Sequence, residues 1–126
     1  MKVRDVMHPD AVWLSPETPL PRVAAKMREE HARAVPISEY DRMVGMVTEH
    51  DLSEIVDEEK AKALTAKDVM SRPLIYCYPE EDVEEALRIM SKHEVPRLTV
   101  VSHQKRVLGS LTLQDIPARA RATPAA

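Results

Sequence analysis

A duplication within the chain is the feature that most constrains its fold. Shifting the 126-residue sequence by 63 residues places Arg4-Asp5-Val6-Met7 on Lys67-Asp68-Val69-Met70. One residue is then inserted in the second copy, and the offset of 64 gives a further series of matches: Arg33 with Arg97, Ser38 with Ser102, Gly45 with Gly109, Thr48 with Thr112 and Asp51 with Asp115. A collinear series of this extent indicates an internal repeat, with copies at residues 1–63 and 64–126.

Both copies begin with the same predicted elements. The short apolar runs Val12–Leu14 and Ile75–Cys77 predict a first strand in each copy. A Pro-Glu pair and apolar residues at helical spacing then predict a helix. Its apolar stripe comprises Leu20, Val23, Ala24 and Met27 in the first copy, and Val83, Ala86, Leu87 and Met90 in the second.

A β-hairpin and a second helix are predicted to complete each copy. Two β-rich runs flank a four-residue polar turn, Glu39–Arg42 in the first copy and His103–Arg106 in the second. The second helix of the first copy is expected to begin near Thr48 and to run to about Ala63. Its apolar face would carry Leu52, Ile55 and Val56.

This order of elements predicts a mixed α/β (α+β) fold built from two β-α-β-β-α repeats. A three-stranded sheet with helices on one face leaves its other apolar face uncovered. We therefore expect the two repeats to pack sheet to sheet, related by a pseudo-twofold axis, as one module.

Composition narrows the functional classes. The net charge of −3 and the absence of a long basic run disfavour nucleic-acid binding, and no apolar run approaches the ~20 residues of a membrane span. No secretory signal is recognised at the N-terminus, and Cys77 is the single cysteine, so we expect a cytoplasmic protein. Cys77 stands in an apolar run, which predicts a small buried hydrophobic residue rather than a reactive thiol.

The motif Gly-x-x-Thr-x-x-Asp occurs in both copies and uses the two glycines of the chain. Thr48 and Asp51 fall three residues apart at a predicted strand-to-helix junction, so both side chains can point to one spot. The Asp carboxylate can accept hydrogen bonds from a ribose diol, and the Thr, at the start of the helix, can contact a phosphate. Gly45 would let a ligand or a strand approach the backbone closely. The alternative is a helix cap without a ligand.

Three features together resemble a known family. They are Asp-Val-Met before the first strand, the Ala-Val-Pro-Ile run at residues 34–37, and the doubled Gly-x-x-Thr-x-x-Asp. The chain resembles a tandem pair of cystathionine-β-synthase (CBS) domains, the Bateman module, over about residues 2–117. The resemblance implies that AMP, ADP or ATP, or else NAD or S-adenosylmethionine, binds in two clefts between the copies.

The resemblance also implies a role for each site residue. The Asp of the motif would hold the ribose hydroxyls and the Thr would contact phosphate, which gives these roles to Asp51 and Thr48 and to Asp115 and Thr112. Each adenine pocket would be lined by the other copy, so the implied partners are Val12 and Ala32 for Asp115, and Ile75 and Pro96 for Asp51.

Two basic residues, Arg33 and Arg97, precede the second strand of each copy, where the family often has a group that reaches phosphate. They could equally be solvated charges at a strand edge. The second copy also lacks a proline at the position of Pro36, so the resemblance does not imply equal affinity in the two clefts.

Other functional classes find less support in the sequence. There is no convincing Ser-His-Asp or Cys-His set and no Walker loop, so we expect no catalysis. The five histidines form no HxxxH pattern, and His8 is expected to be exposed or to lie at the edge of a cleft. A structural or protein-docking module without a small-molecule ligand fits the same fold. We also expect a homodimer that acts on a regulated protein in trans.

Overall fold

The computed structural model describes residues 1–72 and 75–118, which fall into two compact units. One unit begins at Val12 and ends before Ile75, and we call it the central unit. The other comprises Met1–Ala11 and the chain from Ile75 onward, and we call it the terminal unit. The mixed α/β fold class is confirmed, since each unit combines helices with a small sheet.

The central unit contains a two-stranded sheet and four helices. Its elements are α2 (Leu20–Glu30), β1 (Ala34–Glu39), β2 (Arg42–Thr48), α3 (Glu49–Ser53), α4 (Glu58–Ala63) and α5 (Ala66–Val69). In the apolar stripe of α2, Leu20, Val23 and Met27 are buried against β1 and β2, as the spacing predicted, and Ala24 is half-buried. The resulting core comprises Leu20, Val23, Met27, Val35, Ile37, Val47 and Ala66.

The terminal unit contains a three-stranded sheet in the order β3-β4-β5. Its elements are α1 (Val3–Val6), β3 (Tyr76–Cys77), α6 (Val83–His93), β4 (Arg97–Val101), β5 (Val107–Thr112) and a 3₁₀ helix (Leu113–Asp115). Strand β3 pairs parallel with β4, and β4 pairs antiparallel with β5. In the predicted stripe of α6, Val83, Ala86 and Met90 are buried and Leu87 is half-buried.

The first segment of each sequence repeat packs in the unit formed by the other repeat. In the terminal unit, the N–H of Val3 donates to the carbonyl of Glu81 at 2.8 Å. In the central unit, the N–H of Ala66 donates to the carbonyl of Thr18 at 2.9 Å. These two bonds are equivalent under the 63-residue shift. The compact units therefore divide the chain differently from the repeat boundaries at residues 63 and 64, which stay a prediction about the sequence.

The first predicted strand is reduced to a single bridge in the central unit. The N–H of Leu14 donates to the carbonyl of Pro36 at 3.1 Å, and the N–H of Ser38 donates to the carbonyl of Leu14 at 2.9 Å. The next bond of a parallel ladder would need an N–H from Pro36, which proline lacks. In the terminal unit Val100 stands at that position and retains its N–H, and the two-residue strand β3 forms there.

The predicted second helix of the first copy is wrong as a single element. It divides into α3 and α4, because the side chain of Asp57 accepts hydrogen bonds from the N–H groups of Glu59 and Lys60 and starts a new helix. Leu52 and Ile55 pack against the central core as predicted, but Val56 is 89% exposed. In the second copy the 3₁₀ helix occupies the predicted helix start, and positions from 119 onward lie outside the described residues.

The hairpin turns differ between the units. In the central unit Glu39 pairs with Arg42, so the predicted four-residue turn contracts to Tyr40-Asp41. Both residues have positive φ, 51° and 64°, as a type I′ turn requires. In the terminal unit the longer turn is confirmed, with the N–H of Ser102 donating to the carbonyl of Arg106 at 2.9 Å.

Cys77 is buried on β3, as predicted. Burial, assisted by the nearby charge of Glu81, raises the pKa of its thiol to about 12. At pH 8 only about one thiol in ten thousand would then be ionised, and the thiolate is the reactive form. We predict that Ellman's reagent labels the native protein slowly and titrates one thiol after unfolding in guanidinium. Rapid stoichiometric labelling of the native chain at pH 8 would contradict the prediction.

Candidate functional site

The glycine of each motif lies beneath a crossing segment of chain. In the central unit the backbones of Met46 and Ser71 exchange hydrogen bonds of 3.0 and 2.9 Å. In the terminal unit His8 and Ser110 exchange bonds of 2.9 and 3.0 Å. Of the two possibilities that the sequence left open, a ligand or a strand, the structure places a strand-like segment on both glycines.

A side chain at either glycine would collide with that segment. A Cβ atom at Gly45 would lie 2.8 Å from the carbonyl oxygen of Ser71 and 2.7 Å from the sulfur of Met70. A Cβ atom at Gly109 would overlap the carbonyl oxygen of His8. The glycines are thus required for backbone pairing inside each unit.

Alanine at these glycines should therefore destabilise the protein. We predict that Gly109→Ala lowers the free energy of unfolding by roughly 1–3 kcal/mol, the usual cost of overpacking. Gly45→Ala should cost less, because its Cβ would lie 2.8 Å from the nearest backbone atom, the carbonyl oxygen of Ser71, which is a smaller overlap than at Gly109. Urea unfolding measures both effects, with Leu108→Ala, an exposed position on the same strand, as the control. A Gly109→Ala variant as stable as its parent would refute this account of the motif.

Thr48 and Asp51 form a reciprocal cap at the start of α3. The N–H of Thr48 donates to Asp51 Oδ2 at 2.9 Å, and the N–H of Asp51 donates to Thr48 Oγ1 at 3.1 Å. Strand β2 ends at Thr48, whose backbone is extended. Its side chain can therefore reach the N–H groups of the first turn of α3. The pair therefore caps α3, and the Thr48 hydroxyl keeps its own hydrogen available to donate.

Thr112 and Asp115 form the equivalent cap with a different hydrogen-bond pattern. The N–H and the hydroxyl of Thr112 both donate to Asp115 Oδ2, at 2.8 and 3.0 Å. The second carboxylate oxygen, Oδ1, pairs with His8 Nε2. The side chain of Asp115 is 10% exposed and that of His8 is 59% exposed. Both oxygens of this carboxylate thus have partners.

The basic residues lie beside the caps of their own units. The N–H of Glu49 donates to the carbonyl of Arg33 at 2.9 Å, and Ala32 precedes this contact in the chain. In the terminal unit Arg97 pairs with Thr112 across the sheet, and the N–H of Leu113 donates to the carbonyl of Pro96 at 3.2 Å. Arg33 is exposed and Arg97 is half-buried.

The other predicted lining residues belong to both units. Val12 packs against the central core, and Ile75 is buried in the terminal unit. The implied pairings of Val12 and Ala32 with Asp115, and of Ile75 and Pro96 with Asp51, each join residues of different units, and they stay predictions.

A cavity of about 470 Å³ lies in the central unit on the α2 and α3 side of this region. Its lining includes Met27 and Arg28 of α2, Ala32 and Arg33 after the helix, and Leu52 of α3. Thr48 and Asp51 are not among its lining residues. Ala32 and Arg33, which are adjacent in sequence, therefore line a cavity that Thr48 and Asp51 do not line.

Two features of the motif were missed by sequence reasoning. The first is the contact of His8 with Asp115, which an isolated histidine in the sequence does not reveal. The second is a third Thr-x-x-Asp, at Thr65 and Asp68, which caps α5 in the same way. The N–H and the hydroxyl of Thr65 lower the pKa of Asp68. This pair was visible in the sequence, but it lacks the preceding glycine.

Within residues 1–72 and 75–118, no three His, Cys, Asp or Glu side chains gather closely enough to hold a metal ion. In the same part of the chain, no helix has the length and apolar character needed to span a membrane.

The family assignment follows from comparison with known proteins. A family model described as CBS domain matches the chain twice, over residues 3–58 and 66–117. The chain belongs to the CBS domain family. The resemblance inferred from the doubled motif is thereby confirmed.

Among sequence relatives, an uncharacterized protein of Methanocaldococcus jannaschii is 31% identical over 116 residues, 92% of this chain and 38% of the relative. The chain thus spans little more than a third of that protein.

Two solved structures share the fold. The crystal structure of CBSX2 in complex with AMP has a TM-score of 0.74 at 23% identity and covers 95% of both chains. The CBS domain pair of protein MJ0100, in complex with 5′-methylthioadenosine and S-adenosyl-L-methionine, has a TM-score of 0.70 at 23% identity and covers 91% of both chains.

Proposed function

We propose that this CBS pair is a regulatory module that binds an adenine nucleotide at its Thr-Asp junctions and does not transform it. The observation that carries the proposal is the hydrogen-bonding capacity left at Thr48 and Asp51. AMP, ADP or ATP is the expected ligand, and NAD and S-adenosylmethionine share the same adenosine group.

The carboxylate of Asp51 has enough free acceptor sites to bind a diol. A carboxylate offers about four lone-pair sites, and the Thr48 N–H is the one donor to Asp51 recorded within residues 1–72 and 75–118. Two vicinal hydroxyls could therefore donate to Asp51 while the cap stays intact. Such charge-assisted bonds are the stronger class of hydrogen bond.

The neighbours of Asp51 suit the phosphate end of the same ligand. The Thr48 hydroxyl can donate its hydrogen outward, since its oxygen already accepts the N–H of Asp51. Arg33 supplies an exposed positive charge one residue before β1, and its carbonyl accepts from Glu49 beside the cap. Arg side chains recognise phosphate through a planar set of donors.

Two solved relatives support the ligand class. The complexes of CBSX2 with AMP and of protein MJ0100 with two adenosine derivatives have an adenosine group in common. A pocket that recognises the adenosine group would bind any of the proposed nucleotides. Contacts to the phosphates would then determine which nucleotide binds most tightly. We propose binding without turnover, in the cytoplasm, with a signal passed to a protein in trans.

Thermal melting with and without nucleotide tests the proposal. Ligand at about 100 times its dissociation constant adds ~2.7 kcal/mol to the folded state, which raises the melting temperature by several degrees. We predict such a rise with at least one of AMP, ADP, ATP, NAD and S-adenosylmethionine. Asp51→Ala should weaken binding roughly 10- to 100-fold, because it removes charge-assisted bonds to the ribose.

The chain contains a matched control for this experiment. Asp68→Ala removes a cap of the same Thr-x-x-Asp type, at a junction without the preceding glycine. It should lower the melting temperature without nucleotide and leave the nucleotide-induced rise unchanged. If Asp51→Ala behaves like Asp68→Ala, the motif is a cap only. If no adenine compound shifts the parent, the structural or protein-docking alternative is favoured.

We also propose that the chain forms a homodimer. Val56 and Trp13 are large apolar side chains exposed on the central unit, and burying them in a second copy would remove apolar surface from water. We predict a light-scattering mass twice the chain mass of 14.3 kDa. Val56→Glu should shift the protein toward the monomer, whereas Tyr40→Glu, at the exposed hairpin turn, should not. A monomeric parent at micromolar concentration would exclude the dimer.

A further inference from the structure

The two Thr-Asp junctions have the same sequence but different hydrogen-bond states. Within residues 1–72 and 75–118, Asp51 accepts one hydrogen bond, from the N–H of Thr48. Asp115 accepts two bonds from Thr112 at Oδ2 and pairs with His8 at Oδ1. Of about four lone-pair sites on a carboxylate, three are then in use at Asp115 and one at Asp51.

This difference decides which carboxylate can accept a diol. Two vicinal hydroxyls need two lone-pair sites, and Asp115 has about one left. The hydroxyl hydrogen of Thr112 is also directed to Asp115, whereas Thr48 retains its own for an outside acceptor. The junction in the terminal unit is therefore satisfied by its own residues, and the junction in the central unit is not.

The cause lies in one pair of equivalent positions. His8 reaches Asp115 because its backbone bridges Ser110 of β5, two residues before Thr112. Under the 63-residue shift, His8 corresponds to Ser71, whose backbone bridges Met46 of β2, two residues before Thr48. The hydroxyl of Ser71 donates to the carbonyl of Met46 at 3.4 Å instead of contacting Asp51. The same backbone bridge thus carries an imidazole in one unit and a short hydroxyl in the other.

We infer that His8 is an internal competitor that occupies Asp115 and makes the terminal-unit junction the weaker of two nucleotide sites. This inference rests on the proposed function and deepens it. A nucleotide binds first through Asp51, and binding through Asp115 requires its ribose to displace the His8 side chain. The side chain of His8 is 59% exposed, so it can swing into solvent without disturbing its backbone bridge.

Calorimetric titration of the full chain with AMP tests the inference. In an Asp51→Ala background, the remaining binding reports the terminal-unit junction. Adding His8→Ser, which copies Ser71, should tighten that binding roughly 2- to 5-fold, the scale expected for removing a partly exposed pair. His103→Ser is the matched control, since His103 is an exposed histidine of the same unit that pairs with Glu80. It should leave the affinity unchanged.

The outcomes separate this inference from the proposed function. If Asp51→Ala/His8→Ser binds AMP no more tightly than Asp51→Ala while the parent binds, the competition by His8 is overturned and nucleotide binding stands. If neither the parent nor His8→Ser binds AMP, ADP or ATP, both proposals are overturned. If binding appears only after His8→Ser, the competition is supported. Melting without nucleotide confirms that each variant is folded, and His8→Ala provides a second substitution.

Discussion

Close backbone pairing over a glycine is the interaction on which both units depend. The segment that precedes each repeat's first strand must lie flat against the last strand of the other repeat's hairpin. Any Cβ at Gly45 or Gly109 would occupy the space of that segment's carbonyl oxygen. The hydrogen bonds of this bridge then fix where the segment and its short helix can be. A chain with two glycines places both where they permit this exchange of segments.

The bridge also sets the chemistry of the neighbouring cap. Three residues after each glycine the strand ends at a threonine, and the helix that follows begins with a carboxylate at its third position. Capping and ligand binding draw on the same oxygens, so each bond made to the cap removes an acceptor from a ligand. Stability of the junction and its capacity to bind are therefore in competition. The pair at Thr65 and Asp68 shows the motif used as a cap on α5.

Periodic patterns in the sequence predicted the elements whose burial is regular. The stripes of α2 and α6 and the runs that form β1, β2, β4 and β5 were predicted because one face of each must be apolar. The break between α3 and α4 was not predicted. The side chain of Asp57 competes with backbone carbonyl groups for N–H groups, in a stretch whose apolar spacing continues to indicate a helix. The exchange of first segments was not predicted either. Repeat boundaries record the order of elements, whereas the pairing of a segment with its own or the other repeat depends on contacts distant in sequence.

The site was predictable in its residues and not in its hydrogen-bond state. Spacing was enough to bring Thr48 to Asp51 and Thr112 to Asp115, because both pairs close one turn of helix. The number of lone pairs that remain free on Asp115 depends on the side chain of His8, which is about 100 residues away in sequence. The backbone bridge between His8 and Ser110 places that side chain beside Asp115.

Because the chain is duplicated, the effect of each difference between the two repeats can be seen by comparing equivalent positions. The equivalent backbone bonds form with either residue of the pair His8 and Ser71, because they join main-chain atoms, and the hydroxyl of Ser71 adds only a long bond of 3.4 Å to the carbonyl of Met46. The substitution Pro36 to Val100 is of the opposite kind, because it changes a backbone donor and with it the pairing of the first strand. A side chain that lies on an unchanged backbone bridge can therefore alter a binding site with little effect on the fold. In a duplicated module, positions of this kind are where two sites of common origin can acquire different affinities.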